Sequence, residues 1–274
     1  MTLRTEVLLD GLKFPESPRW HEDKLWFVDM DGHQVLTVDL GGNSEVKLQR
    51  DEQLSGLGWL PDNRLLVVSM GDNTLLRLDS EGVKVIADLN EFKTVLCNDM
   101  VVDKKGRAYV GNFGFDYFNN KPFAPTKLVL VEPNGDARVV ADNMAFPNGT
   151  VITPDDKTLI IAETFAAKLT AFDIMDDGSL KGRRLWANLK TLVPDGICLD
   201  AEGGIWLAAP GRGRVVRVLE GGQITHIVKV ENDAYACMLG GPDRKTLFVA
   251  TSKHTRDAGR IEFVDVDIPG AGLP

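Results

Sequence analysis

The chain has 274 residues, 43% of them hydrophobic and 26% charged, which is enough apolar material for a full core and argues against a disordered chain. Its formal net charge of −9 argues against a nucleic-acid partner, because affinity for phosphate backbones comes mainly from clustered Lys and Arg. No long apolar run and no basic segment leading into one occurs, so a cytoplasmic protein without membrane association is expected.

In chain order, the opening stretch LRTEVLLDGLKF reads as a strand that precedes six copies of one pattern. In WLPDNRLLVVSM, VVDKKGRAYVGN, ITPDDKTLIIAE, LDAEGGIWLAA and GGPDRKTLFVAT, a short apolar strand leads to a turn of Asp with Pro, Gly, Asn or Lys. A second strand rich in β-branched and aromatic residues follows, which is a hairpin signature. Third strands such as KLVLVEPNG and VVRVLEGG alternate apolar and polar residues at a period of two, as strands with one buried face do. The strand after each turn begins at Leu25, Leu65, Ala108, Leu159, Ile205 and Leu247, with spacings of 40, 43, 51, 46 and 42 residues. Repeats of this length predict an all-β, six-bladed β-propeller, a single domain over residues 1–274. A ring must close, and LRTEVLLDGLKF is expected to add to the outer edge of the sixth blade beside GRIEFVDV. The longest spacing contains GFDYFNNKPFAPT, whose aromatics, with Phe113 just before them, are expected to form a lid or wall at one mouth or else to sit at an outer edge.

Counting back nine to eleven residues from the first, third, fourth and fifth anchors reaches Glu16, Asn98, Asn148 and Asp195. Singly, Asn148–Gly149 and Asp195–Gly196 are ordinary turn pairs. Equivalent positions around a ring face one axis, however, so the shared register predicts that two carboxylates and two amides converge. Only oxygen is offered there, which suits calcium, magnesium or manganese better than zinc. Four protein ligands leave positions for water and substrate, as a catalytic ion needs. Pro precedes Glu16, Asn148 and Asp195 and restricts the local backbone. Asp99 is expected to orient a ligand. Arg212, in the GRGR turn, either reaches an anionic substrate or is a solvated turn residue. His21, His33, His226 and His254 fall off the register and read as structural or surface residues, while Cys97, Cys198 and Cys237, odd in number, read as small packing residues rather than a disulfide framework. No G-x-S-x-G elbow or H-E-x-x-H motif occurs.

Through ESPRW, CNDMVVDKKGRAYVGN, PNGTVITPDDKTLIIAET and PDGICLDAEGGIWLA, the chain resembles the SMP-30/gluconolactonase/LRE-like family over essentially its whole length. The resemblance implies a propeller that holds one divalent cation, commonly Ca2+ with Zn2+, Mn2+ or Mg2+ accepted, through Glu16, Asn98, Asn148 and Asp195. It implies hydrolysis of a small lactone, with Asp195 the expected catalytic base. Phosphotriester hydrolysis at the same ion and a non-enzymatic calcium-binding or scaffold role are the alternatives, and a monomer or weak homo-oligomer is expected. The family's sugar lactonases have an Arg two residues before the Asn of an N-D-G motif. Here that place is Leu96, and Met100 stands where Gly is expected. With Phe113, Phe115 and Asp116 nearby, this departure suggests a less hydroxylated lactone.

Overall fold

The computed structural model describes residues 2–92, 95–253 and 257–271. Among these residues the strands form six sheets, five with four strands and one with five. Each sheet is a blade. The first runs outward from the axis through Pro15–His21, Lys24–Asp29, Gln34–Val38 and Ser44–Gln49. The inner strands of blades two to six are Leu54–Trp59, Cys97–Val102, Pro147–Ile152, Ile197–Leu199 and Asp233–Gly240. Each inner strand packs beside the next, and the sixth packs beside the first, so the ring is closed.

The Asp-led turns found in the sequence are held by their own carboxylates. Asp103 accepts the N–H groups of Lys105 and Arg107 at 2.9 Å, and Asp200 accepts those of Glu202 and Gly204 at 3.0 and 2.9 Å. Buried Arg107 and Arg217 neutralise these two carboxylates at 2.6 and 2.5 Å. Inner and second strands are buried on both faces, whereas outer strands such as Gly82–Asp88 are largely exposed. Apolar clusters fill the gaps between successive blades. Val28, Val35, Leu57 and Val67 join the first two, and Trp20 and Phe27 join blades five and six through Trp206 and Phe248.

Glu6–Leu12 pairs antiparallel with Gly259–Asp265, Glu6 opposite Phe263 and Leu12 opposite Gly259, so chain start and chain end share blade six. The opening segment is not one strand, however. Thr2–Arg4 pairs parallel with Ile224–Lys229 as the fifth strand of blade five. The division falls at Thr5, whose hydroxyl donates to Glu262 of blade six. Among the described residues no helix is long and apolar enough to cross a membrane, and the single helical element is the one-turn 3-10 segment Thr164–Ala166.

Candidate functional site

One distortion recurs at the start of the inner strands. In blades one to four, three residue steps on the inner strand face two on its partner: Glu16 pairs with Val28 but Arg19 with Trp26, and Cys97 with Asn112 but Met100 with Val110. The same count holds from Leu54 to Leu57 and from Pro147 to Thr150. Such a bulge bends the strand and re-aims a side chain. Here it carries Glu16, Asn98 and Asn148 to one mouth of the channel, and buried Ser55 holds the equivalent place in blade two. In blade five Asp195 lies just before the inner strand, its N–H donating to Ala208 O at 3.1 Å.

The place after each of these side chains explains the Gly in PNG and PDG. These are not turns: Gly149 lies within a strand, and a Cβ there would come within 2.4 Å of Ile197 N, while one on Gly196 would come within 2.4 Å of Ala236 Cβ. Glycine is needed because the neighbouring inner strand passes so close. In blade one this place is Ser17, held at φ 49° with its N–H donating to Glu16 Oε2 at 2.8 Å. In blade three it is Asp99, and Met100 falls one place later. Met100 is fully buried, and its side chain packs where Gly56 and Gly58 of blade two make room, so it stays out of the cavity.

Glu16, Asn98, Asn148 and Asp195 all line one cavity of about 460 Å3. Buried Arg19 ties the inner strands of the first three blades together. Its guanidinium donates to Asp99 Oδ1 at 2.7 Å and to the carbonyls of Leu57, Pro18 and Met100 at 3.2, 3.0 and 2.9 Å, spanning three blades. Asp99 also accepts from Ser17 Oγ at 3.3 Å. It therefore lies behind Glu16, tied to the arginine, and does not line the cavity.

Asn98 is fixed by the next blade and Asn148 by its own. Asn98 Nδ2 donates to Pro147 O at 3.2 Å, and Asn148 Nδ2 to Thr164 Oγ1 at 3.3 Å, while that hydroxyl donates to Pro194 O at 2.9 Å. The carboxylates are poorly compensated. Burial, then the charges of Asp195 and Asp99, push Glu16 well above the usual carboxylate range. Burial raises Asp195 from 3.8 to about 7, with Asp99 adding to the effect and a hydrogen bond from Asn148 opposing it. Among the described residues, none that lines the cavity is Lys, Arg or His. Among the described residues no group of three or more His, Cys, Asp or Glu is placed to hold a metal ion. The donor set is two carboxylates and two amides, all oxygen, and it fits a hard divalent cation with open positions.

The wall is aromatic. Phe113 and Phe146 are buried with ring centroids 4.4 Å apart, and Tyr117, Phe118 and Phe165 continue the wall outward. The insertion thus sits at the ligand-bearing mouth. Phe115 packs behind this layer against Phe165, at 5.0 Å between centroids, and does not line the cavity. Asp116 and Arg212 are not brought to it either: Asp116 accepts from Asn119 in its own turn, and exposed Arg212 reaches Thr191 O at 3.5 Å. His21 stacks on Trp59, His33 contacts Asp51 O and His226 lies by Trp206, all outside the cavity; His254 lies outside the described residues. The three cysteines are buried.

Sequence reasoning missed Phe14, Phe146 and Val193, which also line the cavity. The signal was present, because each lies two residues before a ligand, as does Leu96, which packs on the same aromatic cluster.

The chain belongs to the SMP-30/gluconolactonase/LRE-like family, whose profile matches residues 14–253. Regucalcin of Xenopus laevis is 29% identical over 259 residues, covering 90% of this chain and 85% of that protein. Among solved structures, a calcium-binding protein, regucalcin, from Agrobacterium tumefaciens superposes with a TM-score of 0.85 at 20% identity, covering 100% of this chain and 98% of the other. A gluconolactonase from Xanthomonas campestris superposes with a TM-score of 0.75 at 24% identity, covering 98% and 89%. At these identities the superpositions speak for the six-bladed fold.

Proposed function

We propose that the protein is a lactonase that opens the ring ester of a small lactone with a divalent cation, calcium foremost, held by Glu16, Asn98, Asn148 and Asp195. The observation that carries this reading is the convergence of those four oxygen-bearing side chains in a cavity that no basic residue lines among the described residues. Family membership and the gluconolactonase and regucalcin relatives support it. When bound, the cation supplies a Lewis acid to the ester carbonyl oxygen.

The chain's own residues do the rest. Asp195, steadied by Asn148, accepts the proton of the attacking water at a carboxylate oxygen. The water oxygen bonds to the carbonyl carbon, the ring C–O bond breaks, and the departing alkoxide takes back the proton held by Asp195 to give the hydroxy acid and restore the carboxylate. The aromatic wall limits bulk water, and Glu16 and the amides hold fixed positions because the bulged strands and the bonds to Pro147 and Thr164 hold them.

The test is turnover of a lactone panel and one phosphotriester, with EDTA and with calcium restored. Lactone hydrolysis should vanish in EDTA and return with calcium. Asp195→Ala should abolish it, and Asn148→Ala should chiefly raise the calcium needed for half-maximal rate, by roughly tenfold or more. Turnover unchanged in EDTA, or full activity in Asp195→Ala, would rule the reading out.

A further inference from the structure

We infer that the lactone is uncharged and carries an alkyl or aryl substituent, which lies against the aromatic rings of the mouth. This rests on the lactonase reading and names the substrate class for that site.

Acidic and aromatic side chains are unevenly spread round the lining. Blades one, two and six contribute Glu16, Asp31, Gln53 and Asp233, with Phe14 and Tyr235 among them, whereas the rings that run out to the rim, Phe113, Phe118, Phe146 and Phe165, come from blades three and four. The polar groups are largely acidic. Among the described residues four carboxylates line the cavity, those of Glu16, Asp31, Asp195 and Asp233, and no cationic side chain does. A divalent cation offsets at most two of these charges, so a phosphate or carboxylate on the substrate meets net repulsion. Part of that polar lining is already engaged. Asp31 accepts from Gln53 Nε2 at 2.9 Å, and Asp233 from Gly213 N at 3.3 Å, which leaves fewer partners for the several hydroxyls of a sugar lactone.

The rings of blades three and four run continuously from depth to rim. Phe113 and Phe146 are 6% exposed, yet Phe118, 5.7 Å from Phe113, is 58% exposed, and Phe165, 5.2 Å from Phe146, is 47% exposed. Phe123, 48% exposed, stacks on Phe165 at 5.9 Å and widens the surface. Isolated exposed apolar residues need no explanation, but a contiguous patch marks a binding surface. This one is continuous with the cavity, which sets its occupant: a substituent on the ring whose ester sits over the four ligands. The collar two residues before the ligands agrees, since Phe14, Leu96, Phe146 and Val193 are all apolar.

The experiment compares kcat/KM, with calcium, for γ-butyrolactone, γ-hexalactone, γ-nonalactone, γ-undecalactone, glucono-δ-lactone and a phosphorylated sugar lactone. The expected result is a rise with chain length of up to about fourfold per methylene, the factor that ~0.8 kcal/mol per buried CH2 represents. The two sugar lactones should be slower than γ-nonalactone. Phe118→Ala and Phe165→Ala should each lower the ratio of γ-nonalactone to γ-butyrolactone by about tenfold. Calorimetry with the inert ketone 2-heptylcyclopentanone, in EDTA, reads the same surface without turnover, and the same variants should weaken it. Brisk lactone turnover with no dependence on chain length, or with a sugar lactone fastest, would overturn this inference and leave the lactonase reading intact. No turnover of any lactone, with the ketone still bound in a Phe118-dependent way, would instead overturn the lactonase reading. A stable dimer that Phe118→Ser dissociates would assign the exposed rings to a second copy of the chain and would also overturn it.

Discussion

Replacing Asp195 by Asn should make the cation-free protein more stable at neutral and alkaline pH. The carboxyl is deeply buried and its pKa is raised from 3.8 to about 7, which costs the ionised folded state on the order of 4 kcal/mol at 1.36 kcal/mol per decade of proton affinity. The sign follows from linkage. A carboxyl whose folded pKa lies above its unfolded value brings no penalty below the unfolded pKa, and the penalty grows as pH rises between the two and is complete above the folded one. Stability of the EDTA-treated wild type should therefore fall from about pH 4 to pH 7, and Glu16, raised in the same direction, should add to the fall.

Asn keeps the shape of the side chain and removes the charge. In urea unfolding at pH 8 in EDTA, Asp195→Asn should exceed wild type by about 2–4 kcal/mol, with the gap narrowing toward pH 4. Calcium should reverse the order, because an ion that binds only the folded state stabilises by RT ln(1 + [L]/Kd) and the variant has lost a charged ligand. A variant less stable than wild type at pH 8 in EDTA would refute the claim that this carboxylate lacks a compensating positive charge.

Arg19→Leu should be strongly destabilising, by about 3–5 kcal/mol, because it leaves Asp99 buried without its partner. At ~2.1 cal/mol/K per residue the whole chain unfolds with an entropy of about 0.6 kcal/mol/K, so Tm should drop by roughly 5–8 °C in a calorimeter, and Asp99→Leu added to Arg19→Leu should recover part of the loss. A drop of less than about 2 °C would show that the guanidinium does not brace the channel. Gly149→Ala should cost about 1–3 kcal/mol and weaken calcium binding, since its Cβ would come within 2.4 Å of Ile197 N and must push blades four and five apart. A neutral result by urea midpoint and calcium titration would return Asn148–Gly149 to the status of a simple turn pair. Deleting residues 1–12 should remove the closing strand from Gly259–Asp265 and leave an exposed edge, read as aggregation on size-exclusion chromatography.

The repeat was legible because each turn carries its own staple: the Asp that opens VVDKKGRAYV and LDAEGGIWLA ties the turn N–H groups, so the residue type is required wherever the hairpin recurs. The ligand register was legible for a related reason. A bulge opens the inner strand in each of blades one to four, so side chains nine to eleven residues before the second strand reach the same mouth, the small differences in offset being taken up at the bulge. What the bulge itself requires was not legible, because Gly149 and Gly196 answer to a neighbouring blade rather than to their own. Arg19 is the sharpest instance. Sequence proximity suggests Glu16 as its partner, yet its guanidinium crosses blade two to Asp99, 80 residues along the chain. Asp116 and Arg212 mislead in the opposite way, being polar residues in the expected segments whose bonds are local or at the surface.

These cases divide along one physical line. Features set within a blade repeat in the sequence, because each blade solves the same folding problem. Features set between blades depend on the closed ring, and they decide which charges are answered and which are left for a ligand. Glu16 and Asp195 come from the first and fifth blades and repel each other only because the ring brings blade five round to blade one. The negative charge left uncompensated at the mouth is therefore a property of closure. Weakening closure, as in the deletion of residues 1–12, should lower calcium affinity even though no ligand is touched.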